Sequence, residues 1–212
     1  MEGLLMRGRI LIGAAAIALL LAGCTPAAEP STPEASPSVT ESPTPTVEPT
    51  TEPVVEALTI PECETLVPLA YAVERFGGST VFFGELTAAD YLFRMTVPGA
   101  PEVLTGAEVY RGCSWGVPNS DGSFALAVAS ITPETSGSLQ SALAEAGFSG
   151  TISGDLAWWN LEAEGAFSLV GATYILTDDV LIVCDGTGAE LTDAIAGKAL
   201  DAVRTANPAL GL

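Results

Sequence analysis

The sequence of 212 residues contains no histidine and only one lysine, Lys198. The lack of histidine excludes Ser-His-Asp and Cys-His nucleophile pairs, histidine metal sites and the commonest general base. Lys198 lies three residues before Asp201, where we expect a solvated ion pair. No metal-binding loop, phosphate loop or dinucleotide fingerprint is present, so we expect neither a metal nor another cofactor and no catalytic residue of these kinds.

Positive charge is scarce along the whole chain. From residue 24 onward there are 25 acidic and five basic residues. Such an acidic surface repels phosphate backbones, and we therefore exclude nucleic acid as a partner. It also disfavours docking on anionic lipid headgroups, and its general effect is solubility.

Residues 1–23 have the composition of a targeting segment. Arg7 and Arg9 precede an apolar run over residues 10–21, which is too short to span a bilayer because a span needs about 20 apolar residues. The run ends in Leu-Ala-Gly-Cys24, which resembles the lipobox of bacterial lipoprotein precursors. The resemblance implies cleavage before Cys24 and acylation of its sulfur. The alternatives are an ordinary signal peptide with a chance cysteine and an uncleaved anchor.

Residues 24–56 are expected to form a tether. Residues 25–56 hold eight Pro, eleven Ser or Thr and six Glu, with no basic and no aromatic residue. Such a segment buries too little apolar surface to offset its ordering entropy, so we expect disorder. Pro-rich chain extends by about 3.1 Å per residue, which gives a reach of the order of 100 Å. We expect a lipid anchor in the cell membrane and a single domain, residues 57–212, on its extracytoplasmic face.

The periodicity of residues 57–212 predicts an α+β domain. We expect an antiparallel sheet of about five strands with helices packed on it, in the order α-β-β-α-β-β-β-α, and an irregular segment at residues 79–107. A capping box at Thr187 and Glu190 is expected to open the last helix. The predicted helical regions are 64–76, in which Pro68 marks a break or a first turn, 136–146 and the one after 187. The predicted strands are 108–117, 123–131, 157–164, 168–177 and 180–185.

Three cysteines remain beyond Cys24. Outside the membrane thiols oxidise, so one disulfide and one free cysteine are expected. We expect Cys63 to pair with Cys113, which would fix the start of the domain to its sheet, although spacing alone does not determine the pairing. Cys184 follows an apolar run and is expected to be buried.

A short resemblance accompanies these features. The lipobox, the Pro/Thr-rich tether, Cys63 at the start of a short helix and Cys113-Ser-Trp115 on a hairpin strand resemble actinobacterial cell-envelope lipoproteins of unknown function with a Cys-x-Trp motif. Those proteins are similar in layout to sensor-type and PsbP-like α+β domains. The resemblance implies a secreted, disulfide-containing domain, and it implies no catalytic residue. The third cysteine, Cys184, departs from the pattern.

One candidate site lies in residues 79–107, which are more apolar than a surface loop. Phe82, Phe83, Tyr91 and Phe93 are interpreted either as extra core or as the lining of a groove for an apolar ligand or an envelope protein. The leading functional expectation is therefore a non-catalytic binding module of the cell envelope, anchored at the surface.

A second candidate site lies on the strand 157–164. Glu162 and Glu164 share one face with Trp158 and Asn160, and paired carboxylates at about 5–9.5 Å can hydrolyse glycosidic bonds. The alternative function is thus a carboxylate-dependent hydrolase of envelope glycans. The same alternation is also typical of any solvated sheet face. A third functional hypothesis is a purely structural accessory of a membrane complex.

Overall fold

The computed structural model of the chain describes residues 57–165 and 169–212, apart from the side chain of Phe93. The expected signal peptide (1–23), Cys24 and the tether (24–56) lie outside the described residues. The helices are α1 (Cys63–Leu66), α2 (Leu69–Phe76), α3 (Ala88–Tyr91), α4 (Ala100–Gly106), α5 (Pro133–Glu145) and α6 (Ala189–Ala206), with a short 3₁₀ turn at Leu92–Arg94. The strands are β1 (Val81–Leu86), β2 (Tyr110–Gly116), β3 (Ser123–Ser130), β4 (Ser149–Ser153), β5 (Leu156–Glu164), β6 (Leu169–Leu176) and β7 (Val180–Gly186).

The strands form one antiparallel sheet in the order β1-β2-β3-β7-β6-β5-β4. The expectation of an α+β fold, with an antiparallel sheet and helices packed on it, is confirmed. The predicted number of strands was wrong, because the described residues form seven strands rather than about five. The predicted order was wrong as well, since β1, α3 and α4 fold within residues 79–107 and β4 precedes β5. The break at Pro68 was expected, and α2 begins directly after it.

The two strands that the pattern did not predict, β1 and β4, both lie at an edge of the sheet. In β1 the pairing register shifts between Phe82 and Gly84, and this irregularity interrupts the alternation of side chains. In β4 all five residues are exposed, so no apolar alternation marks it. β4 is thus defined by hydrogen bonding to its neighbour alone, whereas β1 also packs Phe82 and Leu86 against the core.

Helices cover both sides of the sheet, because alternate residues of the central strands face opposite ways. We call the two sides the α6 face and the α5 face. The α6 face packs against α1, α2 and α6, and its buried residues include Phe124, Leu126, Val128, Ile182, Ile195, Ala199 and Val203. The α5 face packs against α3, α4 and α5, and its buried residues include Ala125, Ala127, Ala129, Tyr91, Leu104, Leu139 and Leu143. The alanines of β3 leave room for large side chains from the helices.

A row of aromatic rings runs through the α6 face. The ring centroids of Phe76 and Phe124 lie 5.5 Å apart, those of Phe124 and Trp115 5.3 Å, and those of Trp115 and Phe82 5.4 Å. Trp115 at its centre is completely buried. The row therefore joins α2, the middle of the sheet and the edge strand β1 into one packed unit.

The described residues contain one disulfide, between Cys63 and Cys113, whose sulfur atoms lie 2.04 Å apart. It links α1 to β2 beneath the α6 face, as the sequence led us to expect. Cys184 is free and completely buried on β7. Within residues 57–165 and 169–212, none of the helices combines the length and the hydropathy needed to cross a membrane.

Candidate functional site

The aromatic residues expected to line a groove are divided between different parts of the domain. Phe82 is half-buried on the α6 face, where it packs against Trp115. Phe83 is 51% exposed, and its ring covers Gly116 so closely that a Cβ atom there would lie 2.5 Å from Cε2 of Phe83. Phe82 thus belongs to the core, and Phe83 to the surface of β1.

Tyr91 lies in the core of the α5 face, on the opposite side of the sheet from Phe82. Its hydroxyl lies 3.1 Å from the carbonyl oxygen of Val183 and 3.2 Å from that of Ala125, one of which accepts its proton. The side chain of Phe93 lies outside the described part of the chain. The structure therefore does not bring Phe82 and Tyr91 together in one groove.

The two carboxylates considered for glycoside hydrolysis have separate surroundings. Oε2 of Glu162 accepts a hydrogen bond of 2.9 Å from the backbone N–H of Ala189, at the start of α6. A carboxylate at this end of a helix satisfies an unpaired N–H and interacts well with the helix dipole. Glu164 is exposed at the far end of β5. The position of Glu162 is thus explained by its contact with α6.

The expected capping box at Thr187 and Glu190 was wrong. The N-cap of α6 is Gly188, one residue later than predicted, and no side chain caps the helix from that position. The backbone of Gly188 has φ +80°, a left-handed conformation that glycine adopts without a steric penalty. Glu162 from β5 supplies the oxygen that the sequence assigned to Thr187.

A partly buried ion pair lies on the α5 face at the end of β7. Nη1 of Arg94 lies 2.8 Å from Oδ1 of Asp185, and Nη2 donates a 3.3 Å hydrogen bond to the hydroxyl of Ser123. The side chain of Asp185 is only 15% exposed, and its other oxygen, Oδ2, is buried without a hydrogen-bond partner among the described residues. Burial raises the pKa of the Asp185 carboxyl, and Arg94 offsets part of this rise. Ionisation of Asp185 therefore destabilises the folded state relative to the unfolded chain.

This raised pKa predicts how stability depends on pH. Below the normal value of 3.8, Asp185 holds its proton in the folded and in the unfolded chain. As pH rises through its higher folded pKa, the folded state loses stability, by at most about 1.4 kcal/mol per pH unit for one proton. Asp185→Asn cannot ionise, so we expect the wild-type chain to lose stability relative to this variant as pH rises above 3.8. Urea unfolding of both chains at a series of pH values above 3.8 measures the difference. The same pH dependence of the free energy of unfolding in both chains would contradict the prediction.

The best-defined polar arrangement lies where β5 and β6 pack under α6. Nε1 of Trp158 donates a 2.5 Å hydrogen bond to Oδ1 of Asp193, and Nδ2 of Asn160 donates a 3.2 Å bond to the same oxygen. The hydroxyl of Thr173 donates to Oδ1 of Asn160 at 2.7 Å and lies 2.9 Å from the hydroxyl of Thr192. Both threonines are completely buried. The network fixes the orientation of the Asp193 carboxylate from beneath.

The network opens into a cleft of about 560 Å³ beside α6. We call it the α6 cleft and define it by Tyr71, Trp158, Asp193, Lys198 and Asp201, which all line it. The Tyr71 hydroxyl donates a 3.2 Å hydrogen bond to the carbonyl oxygen of Ala194, which holds α2 against α6. A Cβ atom at Gly197 would lie 3.2 Å from Cη2 of Trp158, so the absence of a side chain there lets this ring approach the helix.

Three charged residues of the α6 cleft, Asp193, Lys198 and Asp201, form no salt bridge with a described residue, whereas Nε of Arg204 donates a 2.8 Å hydrogen bond to the backbone oxygen of Leu212. The described residues form three salt bridges, Arg94–Asp185, Arg111–Glu62 and Arg111–Glu85. None of them involves Asp193, Lys198 or Asp201. The pair expected between Lys198 and Asp201 is therefore not formed, and Nζ of Lys198 lies 5.8 Å from the centroid of the Tyr71 ring. Oδ2 of Asp193 accepts no hydrogen bond from any described residue.

No family model, no curated protein and no solved structure matches this chain. Function is therefore inferred from the chemistry of the site. Within the described residues, no group of three or more Asp, Glu or Cys side chains is arranged to hold a metal ion.

Sequence reasoning identified one half of the α6 cleft and missed the other. It placed Trp158 and Asn160 on one face of the strand 157–164, and this leaves the adjacent Trp159 on the opposite face. The structure confirms this division, because Trp158 packs on the α6 face and Trp159 on the α5 face. Asp193 was missed. The available signal was a single acidic residue between the buried positions Leu191 and Ile195 of α6.

Proposed function

We propose that this chain is a surface-anchored lipoprotein whose folded domain is a non-catalytic binding module of the bacterial cell envelope. One observation carries the binding role. The Asp193 carboxylate is oriented by Trp158 and Asn160 at the wall of a cleft whose charged groups form no ion pair with described residues. Polar groups that are held in place before a ligand arrives are typical of binding sites, because little ordering is needed on binding.

The proposed location is supported by the sequence. The run over residues 10–21 ends in a lipobox-like Leu-Ala-Gly-Cys24, and the tether composition of residues 25–56 follows directly. A single acyl chain gives only marginal binding to a membrane, so the two chains of a diacylglycerol are what stable anchoring requires.

The non-catalytic role is supported by the surroundings of the carboxylates. Glu162, a candidate for hydrolysis, binds the N-terminus of α6, and Asp185 is paired with Arg94. Asp193 is held by two hydrogen bonds to one oxygen, which suits a fixed acceptor of ligand hydrogen bonds. These three carboxylates thus have binding or structural contacts that account for their positions.

The anchor is tested by Cys24→Ala. This variant lacks the sulfur that would carry the lipid, so we expect it to lose all incorporation of labelled fatty acid and to leave the membrane fraction. Metabolic labelling and cell fractionation measure both effects, with Cys184→Ala as a matched control because Cys184 is buried in the fold. Equal labelling of Cys24→Ala and the unaltered chain would refute the lipoprotein proposal.

The binding role is tested by photo-crosslinking in intact cells. A photoreactive residue at position 201, on the rim of the α6 cleft, should give an adduct with an envelope component, because Asp201 is exposed there. The matched control is position 145 on α5, where Glu145 is also acidic and exposed but lies on the other side of the sheet. No adduct at position 201 above the level at position 145 would contradict the proposal.

A further inference from the structure

The α6 cleft is the middle of three adjoining hollows along α6. A hollow of about 410 Å³ shares Lys198 and Asp201 with it and continues between α6 and residues 59–65. A second hollow of about 410 Å³ shares Leu156 and Arg204 with it and continues beneath the β6–β7 turn. Lys198 and Arg204 are six residues apart, about 9 Å along a helix. The row of hollows therefore fits a chain-like ligand better than a small compact one.

The side chains of the α6 cleft match a ligand that is rich in hydroxyl groups. Trp158 presents aromatic surface, whose negative face attracts C–H groups. The ring of Tyr71 is already approached by two cations, with Cζ of Arg75 5.2 Å and Nζ of Lys198 5.8 Å from its centroid. Oδ2 of Asp193 is free to accept hydrogen bonds from a ligand, and the ammonium group of Lys198 is a donor. A sugar ring offers both kinds of group together, since its hydroxyls donate and accept while one face of the ring carries C–H bonds.

The overall charge selects among such ligands. With 25 acidic and five basic residues from residue 24 onward, the chain repels a polyanion. The α6 cleft is lined by two acidic residues, Asp193 and Asp201, and by two basic residues, Lys198 and Arg204, so its formal charges balance. A neutral chain of sugars meets no electrostatic barrier, whereas a phosphate- or carboxylate-rich polymer does.

We infer that the α6 cleft binds a neutral oligosaccharide, with Trp158 as the stacking surface and Asp193 as the central hydrogen-bond acceptor. This inference rests on the proposed function and names the chemical class of its ligand. No covalent step is involved.

The test is titration of the full chain, purified in a detergent without a sugar headgroup, with maltotetraose, cellotetraose, mannotetraose and chitotetraose. We expect at least one of them to bind with a Kd of about 1 mM or tighter, as measured by titration calorimetry. Asp193→Asn and Trp158→Phe should weaken this binding about tenfold or more, because the first removes the charge and the second the indole N–H that orients it. Tetragalacturonate, a polyanion of similar size, should not bind.

The matched control is Trp159→Phe, the neighbouring tryptophan on the α5 face, whose Nε1 has no hydrogen-bond partner among the described residues. It should leave the affinity unchanged, and thermal melts of all three variants verify that they fold. No binding by any neutral tetrasaccharide up to about 10 mM, or equal losses in Trp158→Phe and Trp159→Phe, would overturn the inference. If position 201 crosslinks to a protein or lipid while no tetrasaccharide binds, the oligosaccharide inference is wrong, but the proposed role as a binding module is supported. If position 201 gives no adduct, the proposed function itself fails.

Discussion

Replacing both Cys63 and Cys113 by alanine should lower the free energy of unfolding by about 4 kcal/mol. The disulfide joins residues separated by 50 positions, and closing a loop of that length restricts the unfolded chain by about this amount in the chain-entropy description. Both cysteines are also buried, so the truncation removes some packing on the α6 face. Denaturant unfolding of the variant and of the wild-type chain measures the loss.

Reduction of the wild-type chain separates these two contributions. The reduced chain keeps both sulfur atoms and loses only the bond, so its stability should fall close to that of the double-alanine variant. Peptide mapping without reductant should recover Cys63 linked to Cys113. A crosslinked peptide that contains Cys184 in the native protein would contradict both the pairing and the expected loss.

Phe82→Ala should destabilise the domain by about 2–3 kcal/mol, whereas Phe83→Ala should cost less than about 1 kcal/mol. Phe82 is half-buried and ends the aromatic row through Trp115, so its removal leaves a gap at the edge of the core. Phe83 is 51% exposed, and truncation leaves its site open to water. Thermal or urea unfolding of the two variants gives the comparison.

The two phenylalanines serve as controls for each other, since they are adjacent on the same edge strand. Neither variant should change crosslinking at position 201, because neither side chain lines the α6 cleft. Equal destabilisation by both changes would contradict the assignment of Phe82 to the core and Phe83 to the surface. Loss of crosslinking in a folded Phe83→Ala chain would instead place a binding surface on β1.

Sequence periodicity predicted the parts of the fold that carry their own hydrophobic pattern. The hairpin of β2 and β3 was recognised from the alternation of residue types along each strand, although nearly all of its residues are buried because helices cover both sides of the sheet. The helix α6 was recognised because its apolar, buried residues recur every three to four positions. β4 was missed because all of its residues are exposed, so only its pairing with β5 defines it. The four-residue helix α3 is too short to show a period.

The candidate site was only partly predictable for a related reason. Trp158 and Asn160 share a strand face, and an alternation of two residues is visible in a sequence. Asp193 and Tyr71 come from helices that are distant in sequence from that strand, and their meeting point depends on how α6 and α2 pack on the sheet. The contact of Glu162 could not be predicted for the same reason, because the backbone N–H that donates to its carboxylate belongs to Ala189 on another element.

The strand order has a consequence for how the domain assembles. The three strands that precede α5 in the sequence are neighbours in one half of the sheet, and the four strands that follow α5 are neighbours in the other half. The ladders β2–β3, β4–β5, β5–β6 and β6–β7 each join consecutive strands, and their loops close at small entropic cost. Among the described residues, only the β3–β7 ladder joins the two halves, at the centre of the sheet. We therefore expect each half-sheet to form from local contacts and the two halves to join in one long-range step, the pairing of β3 with β7. The helix α6, which belongs to the second half, then packs against β3, α1 and α2 of the first half.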